Sequence, residues 1–120
     1  MIDRIRLTAA AKIQLSTLKR KTGIEHYNSI CRHALCLSLA NPTMPPDEDF
    51  NFNGGIEIDW RVFAGGYEDL YLNLILMRMK SDDIKNTADS LRKVCASHMH
   101  RGLSYLAGKG DDHIIDSLML

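Results

Sequence analysis

Hydrophobic and polar residues alternate at the start of the chain and then change to a helical spacing. Residues 2–7 alternate, which predicts a short strand with Arg4 and Arg6 on the same face as Ile2. Thr8 is a favourable N-cap, and the apolar residues after it recur every three or four positions. A helix is therefore predicted from Thr8 to about Gly23, with a buried stripe formed by Ala11, Leu15, Leu18 and Thr22.

A second helix is predicted to begin between Glu25 and Asn28 and to end at Ala40, where Asn41 and Pro42 break the pattern. Its apolar arc is broad and includes Tyr27, Ile30, Cys31, Ala34, Leu35, Leu37 and Ser38. An arc of this width predicts burial by more than one partner, including a second subunit.

The remaining pattern predicts one loop, one short strand and two further helices. Residues 41–55, rich in proline, glycine and acidic side chains, are expected to form an exposed loop, and residues 56–60 alternate like a strand. Helices are predicted over 67–80, with Leu70, Leu74 and Met77 and also Tyr71, Ile75 and Arg78 at helical spacing, and from about 84–86 to 106. Residues 109–120 fit either a loose tail or a short helix. The expected fold is a single, mainly α domain over 1–120, with four or five helices and one or two short strands.

Charge divides the chain unevenly. Residues 1–40 carry seven basic and two acidic side chains, a net charge of +5, and the rest of the chain carries the balancing −5. This segment is either a solvated charged face or a basic DNA-binding unit, and its strand–helix–helix order is also that of ribbon-helix-helix DNA binders. The candidate phosphate contacts are Arg4, Arg6, Lys12, Lys19, Arg20, Lys21 and Arg32.

Two alternatives bear on this interpretation. Arg32 lies within a broadly apolar helix and could instead pair with an acidic residue of the C-terminal part. The acidic loop at 47–49 is expected to face away from DNA or toward a basic partner protein. Lysine and arginine clusters of this kind bind backbone phosphates rather than read bases, so the expected binding is sequence-independent and sensitive to salt.

Composition narrows the class of protein further. No stretch approaches the roughly 20 apolar residues that a membrane span needs, and the N-terminus lacks a secretory pattern, so a cytoplasmic location is expected. The three cysteines form no CxxC pair, and Cys31 and Cys36 point about 140° apart on the predicted helix. Reduced, buried thiols are therefore expected.

The sequence offers little support for catalysis or for a cofactor. The acidic clusters at 47–49 and 82–83 lack the spacing of a calcium loop, and no phosphate-binding glycine loop or nucleophile motif occurs. His98 and His100 face different directions on a helix, whereas His98, Arg101 and Gly102 share a face. No metal, no cofactor and no enzyme activity are predicted. A nicking enzyme would require Asp47, Asp82 and His98 to converge.

Several separated blocks of the sequence resemble the DndE family, over about residues 4–108. They are KRKTGI at 19–24, CRHALCLSL at 31–39, GIEI at 55–58 with Trp60 and Phe63, GYEDLY at 66–71, and the block HMHRGLSYL at 98–106. The blocks occur in the order of the family, and the chain length also fits. The residues after Gly108 lie outside the resemblance.

The resemblance implies a small, non-enzymatic component of the DNA phosphorothioation machinery, which replaces a non-bridging phosphate oxygen with sulfur. Partner sulfur-modification proteins supply the cysteine desulfurase, the ATP-dependent sulfur transfer and an ATPase. The family is associated with binding of DNA, including nicked duplex, and with tetramers, and it implies no catalytic residue. The alternative function is an assembly adaptor that docks the other sulfur-modification proteins without contacting DNA.

Overall fold

The computed structural model describes residues 2–108, so the expectations for 109–120 lie outside the described residues. Over that range the elements are, in order, β1 (Arg4–Leu7), α1 (Ala9–Thr22), α2 (Tyr27–Ala40), β2 (Ile56–Asp59), α3 (Trp60–Ala64), α4 (Glu68–Ser81) and α5 (Ala88–Ala107). The mainly α fold and the strand–helix–helix order at the N-terminus are confirmed. None of these helices is long and apolar enough to cross a membrane.

The two strands form an antiparallel sheet in which Leu7 lies opposite Ile56. Ile5 and Leu7 point into the core, whereas Arg4 and Arg6 are exposed on the outer face, as the alternation predicted. The strand that pairs with β1 comes from the same chain, whereas ribbon-helix-helix proteins pair the strands of two subunits. Along residues 2–108, the other edge of β1 has no strand beside it.

The sequence patterns fix the two ends of α1. The Thr8 hydroxyl accepts a hydrogen bond from the backbone N–H of Ala11 at 3.1 Å, which caps the first turn. Gly23 follows the helix with φ of 73°, the left-handed conformation that ends helices readily. The predicted stripe faces the core through its first three members, Ala11, Leu15 and Leu18.

Two local predictions were wrong. Ile2 is buried rather than exposed beside the arginines, because β1 begins only at Arg4 and the alternation does not extend back to Ile2. Residues 60–64 form the short helix α3, whereas the sequence pattern predicted that the strand runs through Trp60. The Asp59 carboxylate caps this helix by accepting from the backbone N–H of Arg61 at 3.1 Å.

Helix α5 is the centre of the fold and packs against α1, α2, α4 and β1. Gly102 permits its closest approach to α2, since a Cβ atom at this position would lie 1.8 Å from the carbonyl oxygen of Ala34. Gly55 has a comparable role where β2 begins, because a Cβ atom there would lie 1.7 Å from the carbonyl oxygen of Leu7. At both positions the added Cβ atom would meet backbone atoms, so a side-chain rotation cannot relieve the clash.

Two arginines from different helices hold the C-terminal end of α2. The guanidinium groups of Arg78 on α4 and Arg101 on α5 donate to the backbone carbonyls of Ser38, Leu39, Asn41 and Thr43. These carbonyls lie at or just beyond the end of a helix and would otherwise have few partners within it. The two side chains therefore join three helices and the start of the 41–55 segment.

Of the two predicted rows on helix α4, the row through Leu70 and Met77 faces outward and the row through Ile75 faces the core. Ile75 and Met79 are buried, but Leu70 and Met77 are 52% and 66% exposed, and Tyr67 beside the helix start is 64% exposed. A single exposed apolar side chain is ordinary on a protein surface, and here three of them lie close together along one helix. We refer to Tyr67, Leu70, Leu74 and Met77 as the α4 stripe.

Candidate nucleic-acid interface

The outer face of the sheet presents two guanidinium groups that share one carboxylate. Arg4 and Arg6 lie 3.3 and 3.2 Å from the carboxylate oxygens of Glu57, and all three side chains are about half exposed. The Arg6 guanidinium also lies 4.7 Å from the centre of the Phe52 ring. Exposed ion pairs contribute only about 0–1 kcal/mol to the stability of the fold. A phosphate group could therefore compete with the Glu57 carboxylate for these arginines.

Helix α1 carries the other basic residues of the predicted unit. Lys12, Arg20 and Lys21 are exposed, and Lys19 is half-buried with its ammonium 4.9 Å from the centre of the Tyr27 ring. Lys12 and Lys19 are seven residues apart, so they lie on the same side of the helix at a separation of about 10 Å along its axis. The cations of the last turn also interact favourably with the negative end of the helix dipole.

Arg32 has a different environment from the other candidates. Its guanidinium donates to the carbonyl oxygen of Phe63 at 2.7 Å and to the hydroxyl of Ser29 at 3.1 Å. These partners are a carbonyl and a hydroxyl, not the carboxylate that the sequence offered as an alternative. The half-buried side chain links α2 to the C-terminal end of α3, where Gly65 passes close to it.

A groove of about 510 Å³ lies between β1 and α5 and is lined by basic residues on both sides. Arg4 and Arg6 contribute from β1, and Arg92 and Lys93 contribute from α5. The α5 pair was not predicted from the sequence, because β1 and α5 are far apart in the chain and only the fold brings them together. The sequence does show two adjacent basic residues on a predicted helix, but nearby acidic residues such as Asp89 reduce the local excess of positive charge.

The acidic loop lies against this groove. Asp47 forms an ion pair with Lys93 at 2.5 Å, and Glu48 and Asp49 line the groove itself. The loop therefore contacts basic residues of its own chain. The expectation that the loop faces away from DNA, or toward a basic partner protein, stays a prediction.

His98 is buried in a polar network between α5 and α2. Its Nδ1 atom lies 2.8 Å from the Ser38 hydroxyl oxygen, which also accepts a hydrogen bond from Arg101 Nε at 2.8 Å. Because the arginine donates to that oxygen, the serine hydroxyl can donate to Nδ1 of a neutral imidazole. Burial and the nearby Arg78 and Arg101 lower the pKa of His98 to about 4.

His100 faces the start of α1 instead. Its Nε2 atom accepts a hydrogen bond from the backbone N–H of Thr8 at 3.1 Å, so the ring proton sits on Nδ1 and is donated to the Ala96 carbonyl at 2.7 Å. The Phe50 ring stacks on the imidazole with the ring centres 4.2 Å apart. Burial lowers the pKa of His100. The two histidines thus point in different directions, as the spacing predicted.

Asp47, Asp82 and His98 line one depression of about 270 Å³, so the three residues of the nicking alternative do converge loosely. Each carboxylate is engaged by a cation, however, Asp47 by Lys93 and Asp82 by Arg78 at 2.8 Å. Among residues 2–108, no group of three histidine, cysteine, aspartate or glutamate side chains could hold a metal ion. Within that range, Asp47, Asp82 and His98 therefore do not form a metal-binding group.

The thiols differ in exposure. Cys31 and Cys95 are buried as expected, and burial raises the pKa of each to about 12. Thiols of this kind are almost fully protonated at neutral pH and are poor nucleophiles. Cys36 is exposed, which corrects the expectation for that residue.

Comparison with known proteins decides the family. The family model of the DNA sulphur modification protein DndE matches residues 4–113. The chain belongs to the DndE family. A solved structure, that of DndE from Escherichia coli B7A involved in DNA phosphorothioation modification, matches with a TM-score of 0.74 and 21% sequence identity, and covers 88% of this chain and 97% of that chain. At this identity the likeness shows the shared fold, and no curated protein matches the sequence.

In this DndE family member, the block at 98–106 that contributed to the resemblance holds the helices together. His98 binds α2 through Ser38, His100 binds the start of α1, and Arg101 binds the carbonyls at the end of α2. Gly102 allows the close contact between α5 and α2. These residues therefore hold α5 against α1 and α2, and none of them is one of the exposed cations of β1 and α1.

The stability of the protein is expected to fall as the pH is lowered from about 6.5 to about 4. The unfolded chain protonates His98 near its ordinary pKa of 6.5, whereas the folded protein protonates it only near 4. Between these values the unfolded state binds more protons, and this one residue removes up to roughly 3 kcal/mol of stability by the lower pH. His100, whose pKa is also lowered, acts in the same direction.

Urea unfolding at several pH values between 7 and 4 measures this effect. The His98→Gln variant is expected to be less stable than the wild type at pH 7 but to show a shallower loss on acidification. The same slope in both proteins would show that His98 does not cause the acid sensitivity.

Proposed function

We propose that this chain is a non-enzymatic, DNA-binding component of the DNA phosphorothioation machinery that holds duplex DNA by its backbone phosphates. Membership of a DNA sulphur modification family supports the context. The observation that carries the proposal is the concentration of basic side chains at the surface of β1 and α1. The proposed contacts are Arg4, Arg6, Lys12, Lys19, Arg20 and Lys21. Arg32 is left out because its guanidinium is bonded within the fold.

These residues favour phosphate binding over base reading. Their cations are spread over a strand and a helix, and lysines and arginines placed in this way bind phosphates rather than read base edges. DNA binding is therefore independent of base sequence, and the protein binds both intact and nicked duplexes. A protein that acts on chromosomal DNA in this way works in the cytoplasm, together with the other sulfur-modification proteins.

We also propose that the chain self-associates as a tetramer. The α4 stripe supports this, because Tyr67, Leu70 and Met77 are exposed in the single chain and would be covered by another copy. Four copies would combine basic units of +5 each into a larger surface, which explains how a chain with no net charge can bind DNA. The same stripe favours the alternative function, an assembly adaptor whose apolar surface docks partner proteins and which does not contact DNA.

Replacing Lys19, Arg20 and Lys21 together by alanine is expected to weaken DNA binding by at least about tenfold, because three phosphate contacts are lost from each chain. Gel shifts on intact, nicked and single-stranded DNA measure the effect. The matched control replaces three exposed cations outside the basic unit, Arg61, Lys80 and Lys85, and is expected to bind like the wild type. Light scattering on the same samples is expected to give four chains per particle.

An equal loss in both triple variants would mean that total charge, and not this surface, determines binding. Absence of binding by the wild type at low salt would contradict the DNA-binding function and favour the adaptor. A single chain per particle would contradict the tetramer.

A further inference from the structure

The groove between β1 and α5 contains two cations that lie outside the basic unit at the N-terminus. Arg92 and Lys93 are about half exposed and stand across the groove from Arg4 and Arg6. Each has a carboxylate partner in the free protein, Asp89 at 2.6 Å for Arg92 and Asp47 for Lys93. The two walls of the groove therefore carry the same sign of charge, and short-range ion pairs neutralise them.

We propose that this groove is a second binding site for the phosphodiester backbone, and that the acidic segment 47–49 occupies it in the free protein in place of phosphates. The proposal rests on the proposed function and extends the DNA-binding surface from β1 and α1 to α5. In the complex, phosphates would take the positions beside Lys93 and Arg92 that carboxylates hold in the free chain. The acidic segment would thereby weaken DNA binding.

The contacts around the acidic segment allow it to leave the groove. Thr43, on one side of the segment, is held through its carbonyl by Arg78 at 2.6 Å and by Arg101 at 2.8 Å. Phe50, on the other side, is held by its stack on His100. Between them, residues 44–49 form no backbone hydrogen bond with any other described residue. The segment is tethered at both ends, and its carboxylates can move without breaking a helix or a strand.

The ion pairs of the acidic segment are weak enough for phosphates to replace them. Asp47, Glu48 and Asp49 are exposed, and the hydrogen bond with Asp47 raises the pKa of Lys93. Exposed pairs of this kind are weak and are screened by salt, whereas a DNA strand brings a continuous row of phosphates. Phe50 and Phe52 also line the groove, and they offer apolar contact for the sugars beside those phosphates.

Two double variants test the site with the full-length protein. Arg92→Ala/Lys93→Ala is expected to weaken binding to a duplex by about tenfold, and Asp47→Asn/Asp49→Asn is expected to strengthen it by about threefold to tenfold at low salt. The control Asp69→Asn/Asp83→Asn removes the same number of exposed carboxylates away from the groove and is expected to bind like the wild type. Circular dichroism checks that each variant is folded.

The variant that combines all four substitutions gives the decisive measurement. If the carboxylates of segment 47–49 act by covering Lys93, the gain from Asp47→Asn/Asp49→Asn disappears in the combined variant, in which Lys93 and its neighbour Arg92 are alanine. A gain that persists there, or an equal gain in the control, would overturn the proposal. Loss of binding on replacing Lys19, Arg20 and Lys21, but not Arg92 and Lys93, would overturn this site and leave the proposed function intact. Absence of binding by both the wild type and Asp47→Asn/Asp49→Asn would overturn both.

Discussion

Replacing Gly102 by alanine is expected to destabilise the protein by about 3 kcal/mol or more. The added Cβ atom would lie 1.8 Å from the carbonyl oxygen of Ala34, and Gly102 and Ala34 both lie within helices. The clash is relieved only if α5 moves away from α2, which would also separate the buried residues on both helices. Helix propensity alone predicts the opposite sign, because alanine is favoured over glycine within a helix by about 1 kcal/mol.

Urea or thermal unfolding followed by circular dichroism measures this change. Ser104→Ala, an exposed position two residues further along α5, is the control and is expected to change the stability by less than about 0.5 kcal/mol. A Gly102→Ala variant as stable as the wild type would show that α2 and α5 do not pack as closely as the structure describes.

Replacing Arg101 by alanine is expected to cost about 2–4 kcal/mol of stability. The half-buried guanidinium donates to the hydroxyl and the carbonyl of Ser38, each at 2.8 Å, and to the carbonyl of Thr43 at 2.8 Å. Its removal would take one charged donor from each of these acceptors at and beyond the end of α2, and would disturb the bond between Ser38 and His98. The planar guanidinium reaches several acceptors at once, so lysine is expected to restore little of the loss.

Arg92→Ala is the matched control for this arginine. Arg92 lies on the same helix but is about half exposed and forms an ion pair with the neighbouring Asp89, so its replacement is expected to cost less than about 1 kcal/mol. Denaturant unfolding of the three variants gives the comparison. Equal stability of Arg101→Ala and Arg92→Ala would contradict the role assigned to Arg101.

Local sequence signals were sufficient for most of the secondary structure. The Thr8 cap, the stripe through Ala11, Leu15 and Leu18, and Gly23 together fixed the bounds of α1, because all of these signals act within one helix. The shared face of His98, Arg101 and Gly102 was also predictable from helical spacing. Their partners on α2 were not, since Ser38 and Ala34 lie about sixty residues earlier in the chain.

Burial was harder to predict than secondary structure. The apolar spacing on α4 predicted a helix correctly, but periodicity does not say which of several apolar rows faces the core. The structure buries Ile75 and Met79 and leaves Leu70 and Met77 exposed. The short helix α3 was missed because Asp59 and Gly65 bracket only five residues, too few for a periodic signal.

The candidate interface was predictable only in part. A local excess of charge identified the cations of β1 and α1, and the structure leaves most of them at the surface. The same charge excess placed Arg32 among the predicted phosphate contacts, but its hydrogen bond to the Phe63 carbonyl depends on the packing of α3 against α2. It omitted Arg92 and Lys93, which join Arg4 and Arg6 only through the fold.

The salt dependence of DNA binding by the wild-type protein tests the central claim most directly. If basic side chains hold the backbone phosphates, the logarithm of the association constant falls linearly with the logarithm of the salt concentration, with a slope of about −0.9 for each phosphate neutralised. The account predicts a slope steeper than about −4 on duplex DNA of any sequence, and a shallower slope when Lys19, Arg20 and Lys21 are alanine. Binding that is absent at low salt, or that does not change with salt, would contradict it.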